Sequence, residues 1–314
     1  MTINVAYSCN ENYIHHTGIS ILSLLEKNKL IQNINIFFIY KDVSESSIDL
    51  LKKLVQQYGR TMNVISFYDI CFDLNIKSTG RHIDTIYSKL FFGRIEGIDK
   101  ILYLDSDTII NDSLNEFWNI DLNDNLIAGV ETHSSSLKKS LNLGKYDPCI
   151  NDGVVLINVL EFRKQNILKD FINCIEEYDG NPPLLSEGVI NKVCKGKIKI
   201  IHPKYNLMSG LLNYKRDRFA NMGPYYDKSI IKDAIISPVI IHYLSAFYNR
   251  PWDINCTHPM KDYYLYYKSK SIWKNVPLEN KKLNYRLRFI KFIYSIFPND
   301  ILDFIRFIKG NKSY

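Results

Sequence analysis

From Ile3 to Leu104 the chain alternates short apolar runs with amphipathic segments, an order that leaves few folds open. Ile3 to Tyr7 reads as a strand, residues 15–27 as an amphipathic helix and Ile34 to Tyr40 as a second strand. Ser44-x-x-Ser47 opens a helix that runs to about Tyr58, and Asn63 to Phe67 makes a third strand. A further helix covers Thr85 to Gly93, and Lys100 to Leu104 is a fourth apolar run. Strands separated by helices indicate an α/β protein with a parallel, doubly wound sheet, whose ligands sit at the carboxyl ends of the strands. No G-x-G-x-x-G follows the first strand, so NAD is not expected. Cys149 to Asn158 reads as a loop leading into a strand. After about residue 255 the composition turns to aromatics and lysine, which predicts a helical appendage over 256–314 behind a main domain of 1–255.

Bulk properties narrow the function. The six cysteines are scattered without a C-x-x-C pair, suggesting neither a zinc site nor a disulfide framework, so a reducing cytoplasm is the natural compartment. The start of the chain lacks the basic segment and long apolar run of a signal peptide, and no apolar stretch of roughly 18 residues predicts a membrane span. Of the net charge of +7, residues 281–314 supply +6, leaving a near-neutral body unlike that of a nucleic-acid binder. That tail mixes lysine and arginine with Phe289, Ile290, Phe292, Ile293, Ile296 and Phe297. A basic helix with an aromatic face suits the anionic inner face of a membrane, and equally suits packing on the body or on a second subunit.

The sharpest local feature is Lys100-Ile-Leu-Tyr-Leu-Asp105-Ser-Asp107, an apolar run ending in the chain's one D-x-D. In extended backbone the two carboxylates point to one face and can grip one hard cation, at the strand end where an open α/β sheet binds ligands. Mg²⁺ and Mn²⁺ usually bind through one or two carboxylates plus substrate phosphates, so a nucleoside diphosphate would complete the shell. Taken alone, a D-x-D is more often a solvated turn.

The chain resembles glycosyltransferase family 8, the family of bacterial lipopolysaccharide galactosyl- and glucosyltransferases and of glycogenin. In order along residues 2–255, the motifs are Asn10-Glu-Asn-Tyr13, Tyr87-Ser-Lys-Leu90, Leu102 to Asp107, Asn151 to Asn158, Tyr205-Asn206, His242-Tyr243 and Arg250-Pro-Trp252. The resemblance implies a GT-A fold with a mixed Rossmann-like sheet, and retaining transfer of a hexose from a UDP-sugar to a glycan, glycolipid or glycoprotein acceptor. It implies that Asp105, Asp107 and His242 hold Mn²⁺, or Mg²⁺, with both phosphates of UDP. It places Ser8, Asn10, Asn12 and Tyr13 around the uracil, with Ser106, Asp152, Ser245 and Arg250 further along the nucleotide sugar. Asn151, Lys89 and Glu187 are the residues it sets at the reacting sugar.

This chain departs from the family at several of these places. Lys89 stands for an arginine, keeping the charge but losing the planar fork, and Arg250 stands for the lysine set against the diphosphate. Ser186 replaces a carboxylate that holds the donor's hydroxyls, and Glu187 replaces the glutamine beside the anomeric carbon. The segment from His242 to Arg250 is two residues longer than usual, with Ser245 near the expected glycine. Glu187 is then either an acceptor for sugar hydroxyls or a nucleophile. A UDP-sugar-binding protein of weakened activity is the alternative that these changes suggest.

Overall fold

The computed structural model describes residues 1–71, 83–132, 135–144, 146–213, 226–244 and 248–280. Ser245 and the tail from 281 lie outside them. The expected strands form one sheet. β1 (Thr2–Cys9) pairs in parallel with β2 (Asn33–Tyr40) on one side and with β4 (Lys100–Leu104) on the other, and β3 (Thr61–Ser66) extends the sheet beyond β2. Because β1 feeds a neighbour on one side and β4 closes on the other, a crevice opens at their carboxyl ends.

The sheet is mixed rather than parallel throughout. β7 (Ile150–Asn158) runs antiparallel to both β4 and β6 (Ile127–Glu131), and β8 (Ile198–Ile200) completes the order β3-β2-β1-β4-β7-β6-β8. The alternation of strand and helix that pointed to parallel pairing covers only β1 to β4. Asn151-Asp-Gly153 is also not a loop: it lies inside β7, so these polar residues stand on a rigid strand. Side chains alternate between the faces as the pleat demands. Val5, Tyr7, Leu102, Leu104, Val154 and Leu156 pack with α1 (Ile14–Lys27) and α2 (Glu45–Gln57), while Ala6, Ile101, Tyr103, Val155 and Ile157 join the second core with α8 (Ile167–Glu177) and α9 (Ser186–Val193). The Ser44 side chain caps α2 by accepting from the Ser47 amide. Where a helix was expected over 85–93, one short turn of α-helix passes into a 3-10 helix over Tyr87–Arg94, with Tyr87, Lys89, Leu90, Phe91 and Phe92 all buried.

A small second sheet carries the site. β5 (Thr108–Ile110) pairs antiparallel with β10 (Ile240–His242), which pairs with β9 (Leu207–Met208). Buried hydroxyls of α1 hold β5: Ser20 bonds Thr108 at 3.0 Å, and the Ile110 amide donates to Ser23 at 2.9 Å. Residues after 255 share the core, since Tyr264 and Tyr267 of α11 (Lys261–Lys270) and Trp273 pack in the cluster of α1. Among the described residues no helix is long and apolar enough to cross a membrane.

Gly18 of α1 makes room for the Trp273 ring, which would lie 2.1 Å from a Cβ there. Gly18→Ala should therefore cost about 1–3 kcal/mol by overpacking. Urea unfolding followed by tryptophan fluorescence checks it; an unchanged midpoint would mean that Trp273 moves away without loss.

Candidate active site

Asp105 follows the last residue of β4, and its amide donates to the Gly153 carbonyl at 2.7 Å. Asp107 immediately precedes β5, where its carbonyl accepts from the Tyr243 amide at 2.9 Å. Antiparallel pairing of β5 with β10 sets His242 opposite Thr108. His242 Nε2 then lies 3.1 Å from Asp107 Oδ1 and 3.8 Å from Asp105 Oδ2. His242 and Asp107 are buried and Asp105 is half-buried. The three form a group whose ligand atoms lie within 4.8 Å of one another.

A chain of amides fixes the imidazole. His242 Nδ1–H donates to Asn206 Oδ1 at 2.9 Å, Asn206 Nδ2 donates to Asn151 Oδ1 at 2.9 Å, and Asn151 Nδ2 donates to Glu187 Oε2 at 2.8 Å. Each amide accepts on one side and donates on the other, so its orientation is set. The proton on Nδ1 leaves the Nε2 lone pair facing two carboxylates, an arrangement that is repulsive unless a positive charge sits between them. The titration of the trio shows the same demand. Burial alone would lower the His242 pKa, but Asp107 and Asp105 outweigh it and raise it. Burial alone would push Asp107 up, yet His242 and Arg250 bring it to about 2. Asp105 is raised by burial, with Lys89 opposing and Asp107 adding to the shift. Two hard carboxylates and one imidazole nitrogen suit a divalent cation such as Mn²⁺.

Glycine is required at position 153, because a Cβ there would lie 2.4 Å from His242 Cε1 and 2.5 Å from Asp105 Oδ2. Gly153 and Asn206 lie within the sequence motifs, yet no local pattern gives either a role; their function exists only where β7, β9 and β10 meet.

Arg250 reaches the trio from the opposite side. Its guanidinium donates to Asp107 Oδ2 at 2.9 Å and to the Tyr13 hydroxyl at 2.6 Å, beside the Trp252 ring. Thr17 Oγ1 donates to the Tyr13 carbonyl at 3.0 Å and shares a 2.8 Å hydrogen bond with the Ser106 hydroxyl, tying the D-x-D turn to the start of α1. The Asn10 carbonyl accepts from the Tyr13 amide at 3.0 Å, closing the 3-10 turn Glu11–Tyr13.

On the other flank, buried Lys89 donates to the Asp152 carbonyl at 3.0 Å and to its Oδ2 at 2.9 Å, with the Tyr103 ring 4.1 Å from its ammonium. Ser186 donates to the same Oδ2 at 2.5 Å. Glu187 is the second residue of α9, which starts just after Leu184 and Leu185, whose φ angles of 53° and 56° lie in the left-handed region. Such conformations cost non-glycine residues roughly 1–3 kcal/mol each. Gly188 lets the helix start tight against Pro183, whose carbonyl would lie 1.8 Å from a Cβ. Burial, then the Asp152 charge, push the Glu187 pKa to about 8 against the Asn151 hydrogen bond.

The structure thus gathers Tyr13, Lys89, Asp105, Ser106, Asp107, Asn151, Asp152, Glu187, His242 and Arg250 around one crevice. Ser8 donates to the Thr85 carbonyl at 2.9 Å, and Asn12 is exposed on the 3-10 turn.

The profile described as Glycosyl transferase family 8 matches residues 4–256. The chain belongs to glycosyltransferase family 8. Lipopolysaccharide 1,2-glucosyltransferase of Escherichia coli is 26% identical over 93% of this chain and 86% of its own length. Lipopolysaccharide 1,3-galactosyltransferase of Salmonella typhimurium is 25% identical over 91% and 83%. The crystal structure of galactosyltransferase LgtC, in complex with donor and acceptor sugar analogs, superposes with a TM-score of 0.70 at 19% identity, covering 92% of this chain and 100% of that one. The fold of this glycosyltransferase is therefore GT-A.

The Glu187 shift has a consequence for stability. With its pKa raised from an ordinary 4.5 to about 8, the folded protein keeps a proton that the unfolded chain releases. The stability from this group is full below about 4.5 and is lost as pH rises through about 8. Glu187→Gln removes the titration, so its Tm should gain on wild type across that window; a constant difference would show an ionised Glu187.

Proposed function

We propose that this family 8 enzyme is a retaining hexosyltransferase that moves galactose or glucose from a UDP-sugar to a sugar acceptor on a cell-surface glycan, glycolipid or glycoprotein. The observation that carries the reading is the oriented trio Asp105, Asp107 and His242, with its amide chain running unbroken to Glu187. The relatives named as galactosyl- and glucosyltransferases support hexose as the transferred group. In this reading the trio would hold Mn²⁺ or Mg²⁺, which would supply Lewis-acid neutralisation of the departing diphosphate.

The chain's own residues do the rest. Arg250 offers the diphosphate a planar fork and moves to it from Asp107. Tyr13 stacks on uracil, with Asn10 and Asn12 offering amides to the base edge and Ser8 lying behind them. Ser106 and Ser245 flank the diphosphate. Lys89, Asp152 and Asn151 hold the donor sugar's hydroxyls. Glu187, held as a neutral acid, presents one acceptor and one donor as the family's glutamine does. The acceptor hydroxyl attacks the anomeric carbon on the leaving-group face. The bond from carbon to phosphate oxygen breaks, and the hydroxyl proton passes to that phosphate, giving UDP and a glycoside of retained configuration.

The scattered cysteines, without a C-x-x-C pair, support work in a reducing cytoplasm. The basic, aromatic stretch of 281–314, apart from the catalytic domain of 1–255, brings the enzyme to the anionic inner face of a membrane. Deleting it should weaken sedimentation with anionic vesicles while leaving UDP binding intact, and unchanged sedimentation would assign the tail to packing instead.

Asp105→Ala or Asp107→Ala should lower Mn²⁺-dependent release of UDP from UDP-hexoses on the order of 10³-fold, several kcal/mol of charge stabilisation. Full activity of either variant in EDTA would overturn the metal assignment. Glu187→Gln should keep measurable transfer, with Glu187→Ala losing on the order of 10²-fold from poorer positioning. A glycosyl adduct on Glu187, seen by mass spectrometry after incubation with the donor, would make it a nucleophile.

A further inference from the structure

The start of α1 carries two adjacent histidines that the transfer reaction does not use. With Glu279 they form the second group among the described residues whose ligand atoms lie within 4.8 Å of one another. From these residues we infer that His15, His16 and Glu279 bind a transition-metal dication of the zinc type, at a site separate from Asp105, Asp107 and His242. Two imidazoles and one carboxylate form a donor set that zinc accepts, leaving a fourth position for water.

The geometry is preformed. His16 is buried, and its Nδ1 shares a 2.7 Å hydrogen bond with the Tyr264 hydroxyl. That bond is the outer partner a ligating imidazole uses to fix its ring and direct the other nitrogen. His16 Nε2 points to Glu279, 3.9 Å from its Oε1, and the ring stacks on Trp252 at 3.7 Å. The His15 ring lies 3.8 Å from that of His16. The nearby Lys268 ammonium is engaged elsewhere, by the carbonyls of Trp273, Lys274 and Val276. Glu279 is held by its backbone: its amide donates to the Trp252 carbonyl at 2.7 Å, and its carbonyl accepts from Ile254 at 2.9 Å.

An ion here clips residue 279 to α1 beside Trp252, whose ring also lies 5.4 Å from the Arg250 guanidinium. The site therefore stiffens the segment that presents Arg250.

The test uses the full chain stripped of metal and an Asp107→Asn variant in which the other site is disabled. Both are titrated with Zn²⁺ against a chromophoric chelator, and with Co²⁺ for its visible absorption. The Asp107→Asn protein should bind one Zn²⁺ and show cobalt bands of low coordination number. Adding His15→Ala or Glu279→Gln, neither of which opens the core as a change at His16 would, should weaken Zn²⁺ by more than the roughly 10–100-fold that losing an outer partner costs. Circular dichroism confirms that each variant is folded. Zinc affinity unchanged by both substitutions, or binding that vanishes with Asp107→Asn alone, would overturn the assignment. Neither result bears on Mn²⁺-dependent transfer.

Discussion

The structure depends on one costly juxtaposition: two carboxylates and an imidazole lone pair held within a few ångströms in a partly buried crevice. Like charges so placed repel strongly at low effective dielectric, and each would turn to water if free to do so. Several backbone features prevent that. The Asp105 amide is bonded to the Gly153 carbonyl, the Asp107 carbonyl to the Tyr243 amide, and His242 is fixed by pairing with β5 and by Asn206. The absence of a side chain at Gly153 keeps the space between Asp105 and His242 open. Arg250 offsets part of the repulsion at Asp107, and a divalent cation between the ligand atoms would offset the rest.

That constraint explains why the site rests on two sheets. A single parallel sheet delivers Asp105 at the end of β4 but has no strand running back past it. The short sheet of β5, β10 and β9 supplies the return, bringing residues 107, 206 and 242 together although they are far apart in the chain. The hydroxyls of α1 join the two systems, since Ser20 touches both Tyr7 of β1 and Thr108 of β5.

Much of this was legible in the sequence. Strands β1 to β4 announce themselves by apolar runs and capping signals, and Asp105 with Asp107 stands out by its place at the end of an apolar strand. His242 did not, since an isolated histidine after Val239-Ile-Ile241 reads as core; only the order of motifs singled it out. Three things stayed hidden for physical reasons. The direction of β7 is settled by its neighbours rather than by its own pattern. The roles of Asn206 and Gly153 arise from contacts across three strands. The turn before α9 uses leucines at positive φ, where local preference predicts glycine.

The three positions that the resemblance marks as departures, Lys89, Ser186 and Glu187, are linked through Asp152. An aspartate at 186 would set a second carboxylate against Asp152 Oδ2, which now receives hydrogen bonds from both Lys89 and Ser186. With a single ammonium nearby in place of a guanidinium fork, two adjacent carboxylates would be poorly neutralised. Serine removes the repulsion and donates instead. At 187, burial and Asp152 hold the carboxyl's proton and the Asn151 amide donates to its oxygen. A protonated carboxyl and a glutamine amide both offer one acceptor beside one donor-bearing atom. The pair Ser186 and Glu187 can thus keep the hydrogen-bonding pattern of an aspartate–glutamine pair while lowering the negative charge that Lys89 must balance, and the amide chain carries that pattern on to His242.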